Sequence, residues 1–281
     1  MRTLIKLTRL YLSLAIAFSA VAGFIFYSHD LNLTALYTFL GVLFLSAGAS
    51  ALNQYQERHL DALMKRTRNR PLPSKRMQPK TAVTISLILV LSGVLLLFFG
   101  TTPIATLLGV FNLFWYNVVY TTLKRYTSLA VFIGGLTGAI PPLMGWTAAG
   151  GFVLSPQILA IAFFMFLWQI PHFYLLLLKF GEDYKAAGFP SILALGEKQV
   201  KYVIFIWILG TSCCTLFFPV YHIISGSYLI VCLLILNASL VFYFYRIVFN
   251  KPLLFNFNPA FRSLYLYQVL ILVMLMIEAL R

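Results

Sequence analysis

Nine stretches of this chain are each long and apolar enough to cross a membrane, and this limits the chain to a bundle of spanning helices. They cover about residues 10–28, 33–53, 82–99, 103–121, 128–147, 156–178, 201–220, 227–247 and 261–280. Runs of about 18 or more apolar residues read as membrane-spanning helices. Pro, Gly and charge mark the breaks: Pro71 and Pro73, Thr101-Thr102-Pro103, Lys124-Arg125, Gly150-Gly151, Gly188 to Pro190, and Lys251-Pro252. No Ser- or Gln-rich linker separates them, so a single membrane-embedded domain over residues 1–281 is expected. Charged residues make up 10% of the chain, against roughly 25% in soluble domains. That is too few to cover a water-facing surface. The expected fold class is all-α, with nine transmembrane helices.

Charge fixes the orientation. With nine spans, the N-terminus and the loops after spans 2, 4, 6 and 8 share one side. That side holds every one of the 21 Lys and Arg residues except Arg281. Cytoplasmic loops carry the Lys and Arg excess, so a cell inner (cytoplasmic) membrane with a cytoplasmic N-terminus is expected. The basic face also favours anionic membrane lipid. Nucleic acid is a poor explanation of the +14 net charge, because no soluble domain is left to present it. A cleavable signal peptide competes for the first run, which follows Arg2, Lys6 and Arg9. The run is long for a signal core, however, and the charge asymmetry is cleaner if it stays. Cys213, Cys214 and Cys232 lie inside apolar runs, without metal-ligand or disulfide spacing, and read as small core residues.

Acidic residues are scarce: Asp30, Glu57, Asp61, Glu182, Asp183, Glu197 and Glu278. All but Asp30 and Glu278 fall on the basic side. One group is Asn53-x-x-x-Glu57-x-x-x-Asp61, whose spacing places three oxygen-bearing side chains on one helical face, about 6 Å apart per step. Like charges at that spacing repel, and a divalent cation such as Mg²⁺ removes the repulsion. The basic run Lys65-Arg66-Thr67-Arg68-Asn69-Arg70 follows at once. Acids for a metal beside cations for phosphate oxygens make up the composition of a metal–diphosphate site. The plainer alternative is a solvated helix end paired with Arg58 and Lys65. A second acidic group, Glu182-Asp183, follows span 6 on the same membrane face.

Two further patterns point into the membrane. His172 lies in Trp168-Gln169-Ile170-Pro171-His172-Phe173-Tyr174, within span 6. If that helix continues unbroken, His172 shares a face with Asp183 and lies roughly 16 Å deeper, although Pro171 should kink it. A buried intramembrane His is a candidate for haem ligation or acceptor contact, with a simple interhelical hydrogen bond as the alternative. Span 4 ends in an i+4 stripe, Asn112, Tyr116, Tyr120 and Lys124. It reads either as an interfacial aromatic belt or as the lining of a cavity, with Lys124 and Arg125 reaching a diphosphate.

These residues resemble the intramembrane prenyltransferases, in their haem-farnesylating branch. The resemblance rests on Asn53 to Asp61 with Lys65 to Pro71, on Tyr120 to Arg125, on Gly134-Gly135 through Gly138-Ala139-Ile140-Pro141-Pro142 to Gly145-Trp146, and on Trp168 to Tyr174 with Asp183-Tyr184 and Ala187 to Pro190. It covers about residues 45–195 by motif and the whole chain by span count. It implies a helix bundle around a central cavity, and transfer of farnesyl from farnesyl diphosphate to a vinyl group of haem B, with water completing a hydroxyethylfarnesyl side chain. It implies Mg²⁺ on Glu57, Asp61 and Asp183, with Asn53 and Lys124 in the catalytic group. Lys65, Arg66, Arg70, Lys124 and Arg125 are then diphosphate contacts, and His172, Tyr120 and Trp168 acceptor contacts. The product would pass to a terminal oxidase or a haem A synthase. Two positions depart from the pattern. Glu57 stands where Asp is expected, and Ala187 stands where a further Asp is common. A related enzyme acting on a quinone precursor shares the diphosphate site but needs no haem. A transporter would place charge at the span centres, which here carry almost none.

Overall fold

The computed structural model describes residues 2–190, 196–249 and 257–281. Among the described residues, nine helices are long and apolar enough to cross a membrane. They are α1 (Leu10–Ser28), α2 (Leu33–Gln56), α3 (Pro79–Gly100), α4 (Pro103–Leu123), α5 (Ala130–Ala148), α6 (Pro156–Ala186), α7 (Glu197–Leu216), α8 (Ser227–Phe249) and α9 (Phe257–Leu280). The expected break at Lys251-Pro252 lies outside the described residues.

Local chemistry explains where the helices start. Asn32 accepts a hydrogen bond from the Ala35 amide at the head of α2, and Thr102 does the same for Ala105 at the head of α4. Both are N-caps for amides that have no partner inside the helix. Pro79, Pro103 and Pro156 open α3, α4 and α6, where a missing N–H costs nothing. The largest boundary difference is in α6, which runs to Ala186 rather than stopping near residue 178. Hydropathy reports only the part of a helix that lies in lipid, and the last turns of α6 are polar.

The helices pack in chain order as a ring, and α9 returns against α1 to close it. Helix α1 also crosses closely against α5. A Cβ on Gly145 would lie 1.7 Å from the Ala20 carbonyl oxygen, and one on Gly23 would lie 2.2 Å from that of Pro142. Small residues of this kind let membrane helices approach backbone to backbone. The α2–α3 connection folds back onto the bundle. Its Leu72 is buried with Leu7, Ala51 and Ala82, and Thr67 donates to the Asp61 carbonyl at 2.9 Å. The ring therefore encloses a space, and this connection sits over one end of it.

Candidate active site

The enclosed space is a cavity of about 440 Å³. Its mouth lies where α2, α4 and the α2–α3 connection meet. Asn53, Glu57 and Asp61 all line it, as their spacing predicts, although α2 ends at Gln56 and a short helix, Arg58–Leu63, carries Asp61. Each is buried, and each has a partner. Nη1 of Arg70 donates to both Asp61 oxygens at 2.7 Å. Nζ of Lys124 lies 2.6 Å from Oε1 of Glu57. Asn53 donates to the Thr121 hydroxyl at 3.0 Å and accepts from Nη2 of Arg9 at 3.3 Å. Burying a carboxylate without a partner is costly, so these pairs hold the mouth together.

The mouth carries excess positive charge. Arg9, Arg66, Arg70 and Lys124 line the cavity against the carboxylates of Glu57 and Asp61. Burial pushes the Lys124 ammonium below the ordinary lysine range, against the opposing pull of Glu57. Burial likewise lowers Arg70, helped by the nearby Arg9 charge and opposed by Asp61. Cations held under such strain gain from an incoming anion.

Helix α4 brings its stripe to the same wall. Its residues Trp115–Tyr120 form a π-helical turn. In an α-helix each i+4 step drifts around the axis, and the wider turn offsets that drift. Asn112, Tyr116, Tyr120 and Lys124 all line the cavity, and the rings of Tyr116 and Tyr120 stack with centroids 5.7 Å apart. The Thr121 hydroxyl donates to the Tyr116 carbonyl at 2.8 Å. The Asn117 amide donates to the Ala49 carbonyl at 3.0 Å and to Oε1 of Gln56 at 3.2 Å. These bonds tie the π turn to α2.

Deeper in the cavity the lining is aromatic. The His172 ring stacks on Trp168, with centroids 5.6 Å apart and planes 8° from parallel. Its Nε2 is 3.3 Å from the Tyr265 hydroxyl of α9, while Nδ1 is buried with no hydrogen-bond partner among the described residues. The Trp168 indole donates to the Leu264 carbonyl at 2.8 Å, which fixes the platform to α9.

A charged mouth, a buried aromatic depth and nine spans invite comparison with known proteins. The UbiA prenyltransferase family matches residues 10–254. The chain belongs to this family. It is 39% identical to the protoheme IX farnesyltransferase of Geobacter sulfurreducens over 215 residues, which is 76% of this chain and 79% of that one. It is 38% identical to the protoheme IX farnesyltransferase of Myxococcus xanthus over 234 residues, 80% of this chain and 77% of that one. Its fold matches a solved digeranylgeranylglyceryl phosphate synthase, with TM-score 0.78 at 19% identity, covering 99% of this chain and 98% of the other. It also matches a UbiA homologue from Archaeoglobus fulgidus bound to GPP and Mg²⁺, with TM-score 0.73 at 14% identity, covering 99% of each.

In this UbiA-family chain the expected site residues divide into two sets. Asn53, Glu57, Asp61, Arg66, Arg70, Tyr120, Lys124, Trp168 and His172 line one cavity. Lys65, Arg125 and Asp183 are not among its lining. Arg125 donates to the Gln56 carbonyl at 3.3 Å. The oxygens of Asp183 accept the backbone amides of Lys65 at 3.0 Å and Arg66 at 2.9 Å, so Asp183 anchors the basic connection to α6. The reason is a break in α6. Phe180 has φ −122° and ψ 27°, which ends the shared face of His172 and Asp183 that an unbroken helix implies. The break falls at Phe180 rather than at Pro171.

Arg9 is the residue that sequence reasoning overlooked. It looks like one more flanking cation before a span, yet it lines the mouth and sits 3.4 Å from the Tyr116 hydroxyl. Its left-handed backbone, φ 46°, at the start of α1 leaves no mark in the sequence.

The donor set at the mouth suits a hard divalent cation, because Glu57, Asp61 and the Asn53 amide offer oxygen only. Oε1 of Glu57 is buried and meets Lys124 by distance but no donor at hydrogen-bond angles. It is an acceptor with capacity to spare. Asp183 differs, since both its oxygens already hold backbone amides.

Proposed function

We propose that this protein transfers a farnesyl group from farnesyl diphosphate to a vinyl group of haem B, giving haem O. One observation carries the reading: a single cavity joins a mouth of buried ion pairs to an aromatic depth holding His172. Relatives named protoheme IX farnesyltransferase support haem as acceptor. The homologue bound to GPP and Mg²⁺ supports a prenyl diphosphate with a divalent cation.

In this account the diphosphate enters the mouth. Arg70 and Lys124 turn from Asp61 and Glu57 to the phosphate oxygens, joined by Arg9 and Arg66. Their positive charge stabilises the negative charge that grows on the leaving group as its C–O bond breaks. Glu57 and Asp61, with Asn53 beside them, would hold Mg²⁺, which supplies Lewis-acid neutralisation of the diphosphate when bound. Asp183 positions the chain at Lys65 and Arg66. The farnesyl chain points inward past Tyr116 and Tyr120, whose faces shield the allylic cation from water. Trp168 and His172 hold the acceptor, and its vinyl group attacks the cation. The mouth faces the cytoplasm of an inner membrane, and the product goes on to a terminal oxidase or a haem A synthase.

Purified protein incubated with farnesyl diphosphate, Mg²⁺ and haem B should give a pigment heavier by one farnesyl group and one hydroxyl. Unchanged haem B, with turnover on a quinone precursor instead, would overturn the acceptor. A reporter fused after Lys75 should read as cytoplasmic and one after Gly151 as external. Both reading on one side would end the proposed orientation.

A further inference from the structure

The mechanism so far leaves unused a set of uncharged polar groups deep in the cavity. Gln169 of α6 lines the cavity, and its carboxamide has no hydrogen-bond partner among the described residues. It sits over Gly138 of α5, where a Cβ would lie 1.3 Å from its Nε2. Glycine at 138 is what makes that seat. At the neighbouring residue the Thr137 carbonyl accepts Nδ2 of Asn112 from α4 at 3.1 Å, while Oδ1 of Asn112 is buried and unpartnered. His172, about one helical turn from Gln169 on α6, keeps its own unpartnered Nδ1. Two helices, α4 and α6, thus bring unpaired polar atoms to the cavity wall beside Gly138 of α5. Such groups are costly in lipid surroundings and mark function. A hydrocarbon farnesyl chain has no use for carboxamides, whereas a water molecule, with two donors and two acceptors, suits them.

We propose that Gln169, with Asn112 beside it, holds the water that completes the reaction. The inference rests on the farnesyl-transfer reading above. The diphosphate leaves with the C–O electron pair. The vinyl π pair forms the new C–C bond to the farnesyl carbon, and positive charge remains on the vinyl carbon attached to the porphyrin. The oxygen of the held water gives a lone pair to that carbon, forming the C–O bond, and the proton it sheds passes to the His172 imidazole. If no water is held there, the cation loses a proton from the adjacent carbon instead. The product is then an alkene, lighter by one water.

The test compares native protein with Gln169→Met, which keeps the side-chain length but removes the carboxamide, using farnesyl diphosphate, Mg²⁺ and haem B. Product masses give the ratio of dehydrated to hydroxylated farnesyl haem. The dehydrated fraction should rise roughly tenfold, the size expected from one lost hydrogen bond to the water. Gly138→Ala removes no polar group and displaces the carboxamide through its flexible end, so it should shift the ratio in the same direction. A rise in the alkene from either variant supports the water site. Turnover that falls while the product stays hydroxylated in the native proportion overturns it, because a purely structural role lowers yield without changing how the cation is quenched. Native protein that makes no farnesylated haem at all contradicts the underlying reading instead.

Discussion

The two ends of the cavity solve the problem of buried polarity differently. At the mouth, Asp61 is held by Arg70 and Glu57 by Lys124, both within 2.7 Å. In the depth, Asn112 and His172 keep buried polar atoms without partners. Charges in a poorly solvated site must be paired or the fold pays heavily, so the carboxylates of the mouth are already ion-paired before any substrate arrives, with Oε1 of Glu57 keeping spare acceptor capacity, and their cations must exchange partners to bind one. Neutral groups carry a smaller penalty, so the depth can wait for its ligand. In the proposed function, the mouth exchanges its ion pairs with a diphosphate, and the depth takes a flat acceptor and one small polar molecule.

The largest effect expected from this contrast is at Asp61. Asp61→Asn should lower turnover by about 10²-fold or more, the scale of one lost transition-state contact, measured as farnesyl haem formed per minute. From the sequence, Asp61 sits at a polar helix end, where neutralising it should change the protein level little. The structure buries it completely against Arg70, so Asp61→Asn should also lower the unfolding temperature. Equal losses of haem affinity and turnover would erase the division between mouth and depth.

A smaller effect is expected at Lys124. Its ammonium is held below the ordinary lysine range, chiefly by burial, so it sheds its proton earlier as pH rises. Affinity for farnesyl diphosphate should therefore fall on the alkaline side before an ordinary lysine would titrate. Lys124→Arg stays charged throughout that range and should flatten the alkaline limb, at a cost of about tenfold in affinity from altered geometry. A pH profile identical in the two proteins would remove Lys124 from the diphosphate site.

The smallest is at Thr121, which links Asn53 to the π turn of α4. Thr121→Val should raise the KM for the diphosphate by about fivefold, in keeping with a single neutral hydrogen bond, and leave haem binding unchanged. A larger effect on haem than on diphosphate would place the π turn in service of the depth.

The mouth was far more legible in the sequence than the depth. Glu57, Asp61, Arg66, Arg70 and Lys124 are charges in a chain that has few, clustered beside spans, and scarcity made them visible. The nine spans were visible because lipid demands unbroken apolar runs of fixed length. The depth is assembled from neutral residues on different helices. Tyr265 and Gln268 line it only because α9 closes the ring against α1, a tertiary fact with no local signature. The i+11 spacing of His172 and Asp183 assumes a continuous helix, and the helix breaks at Phe180, next to Gly181, rather than at Pro171.

The central claim is that one cavity binds two substrates at separate levels, and haem titration into two variants tests it most directly. His172→Ala removes the buried imidazole at the depth, and Asp183→Asn loosens the backbone of Lys65 and Arg66 at the mouth. The account predicts that His172→Ala weakens haem binding or shifts the haem optical spectrum while farnesyl diphosphate binds as in the native protein, and that Asp183→Asn does the reverse. Native haem affinity and spectrum in His172→Ala, or equal loss of both substrates in each variant, would contradict it.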